Sequence, residues 1–267
     1  MRFSRHLIGI LLLLLPFISS AQHRTEIIAH RGYWNCPEAG FAKNSIAALR
    51  CAQEHRLWGS EFDVQMTSDS VLVIYHDKKI NGKRVDKQRY SDIKDYTLEN
   101  GEKLPTIDQF LEQAKQYPAT KLVYELKALS SEENNRLLVL QSIAKLKEHS
   151  LLSPDRVMFI SFDLGICKHI AELLPDFDVQ YLGFTQSPRA LAQYSINGVS
   201  YNFYLFNLMP QWNAQARDRN MSVAVWTVNK DSQIQKSIKL GVDYITSDEP
   251  LKALDHLPAK APYAVGK

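Results

Sequence analysis

Apolar and polar positions along the chain follow two alternating periodicities. Short apolar, β-branched runs bounded by turn residues recur at Glu26–His30, Ser60–Met66, Val71–His76, Lys121–Lys127, Val157–Phe162, Val179–Phe184, Gly198–Phe203, Ser222–Val228 and Asp243–Thr246, and read as strands. Between them, segments near 44–56, 106–117, 132–149, 164–174, 187–194, 207–219, 231–240 and 250–256 carry the spacing of amphipathic helices. Alternation of this kind is the pattern of an α/β fold with a parallel sheet and crossover helices. Eight or nine strands with eight helices predict a (β/α)8 TIM barrel, whose typical size is about 250 residues. An open doubly wound sheet is the other arrangement, although no G-x-G-x-x-G opens any helix here. The segment Ile80–Leu104 breaks the rhythm. It is polar, carries Asn81-Gly82 and is longer than an ordinary connection, which predicts a small insertion covering one end of the domain.

Residues 1–21 stand apart from this pattern. Arg2 and Arg5 precede an apolar run from Leu7 to Ile18, and Ser19-Ser20-Ala21 closes it; these are the parts of a secretory signal, with cleavage expected after Ala21. The run is short for a bilayer crossing, and Gln22-His23-Arg24 follow at once, so no stable membrane span is expected after cleavage. The predicted destination is export to a periplasm. Residues 22–267 contain no low-complexity tract or long linker and are read as one domain.

Composition narrows the classes. At 45% hydrophobic, 10% aromatic and 23% charged, the chain can build a sizeable core, which excludes a disordered or collagen-like protein. The formal charge of +3 is too small to point to a nucleic-acid partner, and it falls further when Arg2 and Arg5 leave with the signal. Three cysteines, Cys36, Cys51 and Cys167, are too few for a disulfide-built fold. Spacing leaves both a Cys36–Cys51 bridge and unpaired thiols open.

Chemistry collects at predicted strand ends. His30, followed by Arg31-Gly32, ends the first strand, and His76, followed by Asp77, ends the third run. In a parallel barrel, all such ends open on the catalytic face. Glu61 and Asp63 are two residues apart on a strand, so both carboxylates share one side; Glu125 and Lys127 repeat the spacing. Taken singly, Glu-x-Asp is also what a solvated strand face looks like, and Glu125-x-Lys127 could be a surface ion pair. Their joint occurrence at strand ends of one barrel favours a shared site. Three clustered carboxylates are costly to keep ionised unless a hard, oxygen-seeking divalent ion joins them, which predicts a Ca2+ or Mg2+ site. The two histidines are better used for proton transfer than as ligands. Of the aromatics at strand ends, Phe162, Phe184, Phe203 and Trp226, only Trp226 is taken as a pocket wall; the others read as core.

The ordered set Ile28-Ala29-His30-Arg31-Gly32, Glu61-Phe62-Asp63-Val64, Thr67-x-Asp69, His76-Asp77, Glu125-Leu126-Lys127, Trp226-Thr227-Val228-Asn229 and Gly241-Val242-Asp243-Tyr244-Ile245-Thr246-Ser247-Asp248-x-Pro250 resembles the glycerophosphodiester phosphodiesterase family over about residues 26–256. The resemblance implies a metal-dependent (β/α)8 barrel that hydrolyses a glycerophosphodiester substrate to glycerol phosphate and an alcohol. It implies His30 and His76 as the acid–base pair, Glu61, Asp63 and Glu125 as divalent-metal ligands, and Arg31 and Lys127 on the phosphoryl oxygens. His30 is assigned as base and His76 as acid, with the reverse order left open. One departure stands out. Where the family has Pro-Glu-Asn-Thr, this chain has Lys43-Asn44-Ser45, one carboxylate lost and one cation gained, which bears on substrate preference more than on the reaction. Two alternatives remain: a phosphatidylinositol-phospholipase-like or other lipid-headgroup diesterase, separable by metal dependence, and a non-catalytic phosphodiester-binding module.

Overall fold

The computed structural model describes residues 24–258; the predicted signal lies outside them. The strands are β1 (Glu26–Ala29), β2 (Gly59–Met66), β3 (Leu72–Ile74), β4 (Lys79–Ile80), β5 (Lys83–Arg84), β6 (Lys121–Leu126), β7 (Val157–Ser161), β8 (Asp178–Tyr181), β9 (Gly198–Asn202), β10 (Ser222–Trp226) and β11 (Tyr244–Ser247). The helices are α1 (Ile46–Glu54), α2 (Tyr90–Ile93), α3 (Ile107–Lys115), α4 (Glu132–Glu148), α5 (Leu164–Leu173), α6 (Pro188–Leu191), α7 (Phe203–Leu208), α8 (Pro210–Arg217), α9 (Asp231–Lys239) and α10 (Pro250–Asp255). Eight strands pair in parallel around a ring, β1-β2-β6-β7-β8-β9-β10-β11, and β11 returns to β1 in the register Glu26 opposite Tyr244. This is a closed (β/α)8 barrel. No helix among the described residues is long and apolar enough to cross a membrane.

Strand side chains alternate between two cores. Ile28, Val123, Met158, Ile160 and Leu182 pack together inside the barrel with Trp58, Trp226 and Tyr244. Their neighbours of opposite parity, among them Ile27, Phe62, Leu122, Tyr124 and Phe159, face the helices. Phe62 packs tilted against Phe110 of α3 at 4.5 Å and edge-on to Tyr124 at 5.0 Å; each such buried ring contributes roughly 1.5–3 kcal/mol of transfer free energy. The same parity turns Glu61 and Asp63 inward while Phe62 and Val64 point out. Helix starts follow the expected capping chemistry: Ser45, Thr106, Ser131 and Asp163 each accept a backbone N–H from the first turn of α1, α3, α4 and α5.

The run Val71–His76 differs from its reading as a barrel strand. β3 pairs antiparallel with β2, Met66 opposite Leu72 and Val64 opposite Ile74. β2 outruns β1, which pairs only with Gly59 and Ser60, and β3 runs back down this overhang. His76 therefore reaches the barrel mouth from above, at the level of Asp63, whose carbonyl accepts the Tyr75 N–H at 2.9 Å. Beyond it, β4 and β5 form a hairpin on Asn81-Gly82, both with positive φ. Residues 71–104 share a small core of Val73, Ile80, Val85, Ile93 and Leu104. Glu102 at its end accepts the Ile46 and Ala47 N–H groups at 2.8 and 3.0 Å, binding this excursion to the start of α1. The helix expected at 207–219 is instead two, α7 and α8, because Pro210 cannot continue α7 but suits the first turn of α8.

Candidate active site

The site begins where β1 ends. Arg31 has φ 55 and Gly32 has φ +77, and a Cβ at position 32 would lie 2.7 Å from the Ala48 Cβ, so only glycine allows this turn. The turn aims two N–H groups at β2: Gly32 donates to the Glu61 carbonyl at 2.9 Å and Arg31 to Glu61 Oε2 at 2.7 Å. The second oxygen, Glu61 Oε1, is buried without a hydrogen-bond partner.

Asp63 faces Glu125 in register across β2 and β6. All three carboxylates are buried, and one oxygen of each lies within 4.8 Å of the others. Asn44, in left-handed backbone geometry, clasps Asp63 from both sides: its Nδ2 donates to Asp63 Oδ2 at 2.8 Å, and its Oδ1 accepts the Asp63 N–H at 3.1 Å. Lys127 Nζ lies 2.6 Å from Glu125 Oε1 and 3.2 Å from Asp63 Oδ1, and Arg31 Nε is 3.7 Å from Asp63 Oδ2. An all-oxygen donor set containing an unsatisfied buried carboxylate oxygen fits a hard divalent cation. A second cluster, Asp108, Glu148 and His149, already has the Lys145 ammonium 2.8 Å from Asp108 and 3.0 Å from Glu148, and reads as a surface ion-pair network.

Burial and like charge divide the three acids. The Glu61 pKa is driven well above the ordinary glutamate range by burial, then by Asp63 and Glu125. Glu125 is pushed up to about 7 by burial and Asp63, against the pull of Lys127. Burial would raise Asp63 too, but Lys127, His76, Asn44 and Arg31 together hold it below the usual range. Raised carboxyl pKa values mean that the folded state binds these protons more tightly than the unfolded chain. The stability they contribute is complete below the unfolded value and disappears as pH climbs through the folded one. In chelator, the thermal midpoint is thus expected to fall between about pH 5 and pH 8, and millimolar Ca2+ or Mg2+ to remove most of the fall. Scanning calorimetry across that window checks it, and a midpoint that rises with pH in chelator would contradict it.

The histidines flank the carboxylates, each tethered at Nδ1. His30 Nδ1 lies 2.8 Å from Asp248 Oδ1, which leaves Nε2 for chemistry. Asp248 follows β11 and also accepts from Trp34 Nε1 at 3.0 Å and Asn229 Nδ2 at 2.8 Å. Burial opposes its ionisation, yet the bonds from His30, Asn229 and Trp34 hold its pKa far below the ordinary range. Sequence reasoning gave Asp248 no role; its position at a barrel strand's C-terminal end, like that of His30, was the available signal. His76 Nδ1 lies 2.8 Å from Asp77 Oδ1.

His30, Arg31, Glu61, His76, Glu125 and Lys127 line one side of a cavity of about 110 Å3, and Trp226 lines the other. Asp63 stands outside the lining, held by Lys127 and Asn44. Phe162 is also in the wall, 45% exposed and edge-on to Trp226 at 5.5 Å, whereas Phe203 is core as read. Lys43 does not enter the cluster: it is exposed, with its ammonium 4.3 Å over the Trp34 ring, and its neighbour Asn44 makes the contact with Asp63. Cys36 and Cys51 are both buried and unbridged, and burial followed by a hydrogen bond with Cys36 pushes the Cys51 thiol up to about 12.

This geometry has close counterparts. Residues 30–252 match the sequence model of the Glycerophosphoryl diester phosphodiesterase family. A glycerophosphodiester phosphodiesterase from Caldanaerobacter subterraneus subsp. tengcongensis is 29% identical over 243 residues, covering 85% of this chain and 95% of that protein. The crystal structure of a glycerophosphodiester phosphodiesterase from Parabacteroides distasonis superposes with a TM-score of 0.83 at 38% identity, covering 87% of this chain and 96% of that one. A phosphodiesterase from Oleispira antarctica, solved in complex with the product sn-glycerol-3-phosphate, shares the fold at a TM-score of 0.74 and 23% identity, covering 87% and 97% of the two chains. With a family match over nearly all the barrel and a carboxylate–histidine cluster at its mouth, the chain belongs to the glycerophosphoryl diester phosphodiesterase family, a family of phosphoric diester hydrolases.

Proposed function

We propose that the protein hydrolyses glycerophosphodiesters to glycerol phosphate and an alcohol, with a divalent cation, Ca2+ or Mg2+, held by Glu61, Asp63 and Glu125 and with His30 and His76 moving the protons. The observation that carries this reading is a cluster of three buried carboxylates, two of them in the wall of one cavity, with two cations and two tethered imidazoles in the same wall. The product bound by the Oleispira antarctica relative supports glycerol phosphate as the product here.

Charge balance supports the cation. Three carboxylates face Arg31 and Lys127, one negative charge in excess; a divalent ion reverses that excess and matches the single negative charge of a phosphodiester. When bound, the ion supplies Lewis-acid stabilisation of the phosphoryl oxygens. Arg31 and Lys127 would hold the same oxygens by charge-assisted hydrogen bonds as negative charge builds on them.

The histidine environments suggest an order opposite to the one assigned from sequence. Burial, opposed by Asp63 and reinforced by Lys127, holds the His76 pKa below its ordinary value, so His76 is neutral near pH 7 and suits the base. Asp248, strongly ionised at His30 Nδ1, is placed to steady an imidazolium, so His30 suits the acid that protonates the departing alcohol. Trp226, fixed by its Nε1 bond to the Ser200 carbonyl at 3.1 Å, would pack on the glycerol carbons. The signal read at residues 1–21 supports an exported, periplasmic enzyme.

Release of glycerol phosphate from glycerophosphocholine, with and without chelator, tests the proposal. Turnover with Ca2+ or Mg2+ should fall at least about a hundredfold in chelator. Undiminished turnover in chelator would favour the metal-independent phosphatidylinositol-phospholipase type, and tight binding without turnover in excess metal would favour a binding module.

A further inference from the structure

The loop that follows β1 arches from the site to the surface and back. At its foot the Asn44 N–H donates to the Arg31 carbonyl at 3.0 Å, and the Asn44 side chain holds Asp63. One residue before that foot, Lys43 is exposed and lays its ammonium 4.3 Å over the Trp34 ring. The same ring donates from Nε1 to Asp248 Oδ1 at 3.0 Å, and this oxygen also meets His30 Nδ1 at 2.8 Å. A continuous chain of contacts thus runs from His30 in the cavity wall through Asp248 and Trp34 to a cation at the surface.

The charge of Lys43 is held in place without being cancelled. Among the described residues no carboxylate pairs with it. The acids on this side are already engaged, Asp248 by His30, Trp34 and Asn229, and Glu249 by Asn35 Nδ2 at 2.5 Å. An aromatic ring positions an ammonium through its quadrupole but carries no net charge, so the positive charge stays open to an anion from solution. The cavity encloses about 110 Å3, well below the roughly 300 Å3 at which pockets begin to enclose a whole drug-sized ligand, so the outer part of a diester lies across the rim. With His30 as the acid that protonates the departing alcohol, the alcohol arm is the part on the His30 side, where Trp34 and Lys43 stand.

We infer that Lys43, braced on Trp34, selects diesters whose alcohol carries a second anionic group, a carboxylate or a phosphate. The inference rests on the phosphodiesterase reading above and on the side it gives to the alcohol. The chemistry at phosphorus is the same for every headgroup. The second anion adds a charge-assisted contact with Lys43 Nζ at the rim, and an alcohol without one leaves that ammonium unused.

Glycerophosphoserine and glycerophosphoethanolamine differ by a carboxylate, and a glycerophosphoinositol monophosphate and glycerophosphoinositol differ by a phosphate. We expect kcat/KM to favour the anionic member of at least one pair by about fourfold, near the top of the range for an exposed ion pair; the pair that shows it tells carboxylate from phosphate. The ratio should fall to about one in Lys43→Gln, persist in Lys43→Arg, whose guanidinium also stacks on an aromatic face, and shrink as salt is raised from about 0.05 to 0.5 M. Ratios of one or less for both pairs, or a ratio that Lys43→Gln leaves unaltered, would overturn the inference. Calorimetric titration of the four compounds into the His76→Ala protein with Mg2+ decides it without turnover: tighter binding of an anionic member, lost when Lys43→Gln is added, supports it, and equal binding refutes it. If the wild type turns over none of the four, the phosphodiesterase reading falls, and the binding result still decides the role of Lys43.

Discussion

Replacing Glu61 by Gln is expected to cut kcat by about 10²–10³-fold while leaving the metal-free protein as stable as the wild type, or more so. The two effects have opposite signs because Glu61 is a liability to the fold. It is buried, one oxygen has no partner, and burial and two neighbouring carboxylates raise its pKa. Gln keeps an acceptor for the Arg31 N–H and turns the other atom into a donor toward Asp63 and Glu125, replacing repulsion with attraction. A gain of about 1 kcal/mol would raise the midpoint by roughly 2–4 °C in a barrel of this size. Adding Ca2+ or Mg2+ should reverse the ranking. At a hundred times its dissociation constant, a bound ion adds about 2.7 kcal/mol to the wild type, and the variant, short of one ligand, should gain far less. Thermal midpoints with and without metal, alongside turnover, make the comparison. A variant with wild-type kcat, or one that melts several degrees lower in chelator, would remove Glu61 from the metal cradle.

His30→Ala and His76→Ala should each lower kcat by about 10²–10⁴-fold, and the double variant should be little worse than either single one, since the two rings act as a unit. Circular dichroism should show an intact barrel, because both rings sit at the mouth and outside the cores. Asp248→Asn separates the roles. Without its carboxylate His30 Nδ1 loses its charged partner, so turnover of diesters with poor leaving alcohols should fall well below that of an activated diester whose leaving group needs no proton. A purely structural Asp248 would lower both rates alike. Near-native kcat for either His→Ala variant would refute that histidine's role.

The barrel was legible because the evidence for it repeats. The eight parallel strands fall within a residue or two of their apolar runs, apart from Val179–Phe184, whose strand ends three residues earlier, at Tyr181. The carboxylate pair was legible because a period of two decides which side chains share a face. Direction is another matter. Val71-Leu72-Val73-Ile74 has the composition of any barrel strand, and nothing in periodicity says that it runs antiparallel to β2. Tyr201-Asn202-Phe203-Tyr204 is rich in β-favouring aromatics, which hid the start of α7. The link from Asp248 to His30 depends on closure of the ring, that from Asn44 to Asp63 on the β1–α1 loop folding back on β2, and local sequence carries no sign of either.

Because β3 turns back on the overhang of β2, one of the two histidines proposed to move protons is carried by an appendage and the other by the ring. Ring closure depends on the pairing of eight strands and is indifferent to how many residues lie between Asp77 and Pro105. Insertions or deletions there can reshape the layer that carries His76 without touching shear or strand count. The barrel can therefore stay unchanged while the scaffold behind one of its two histidines varies.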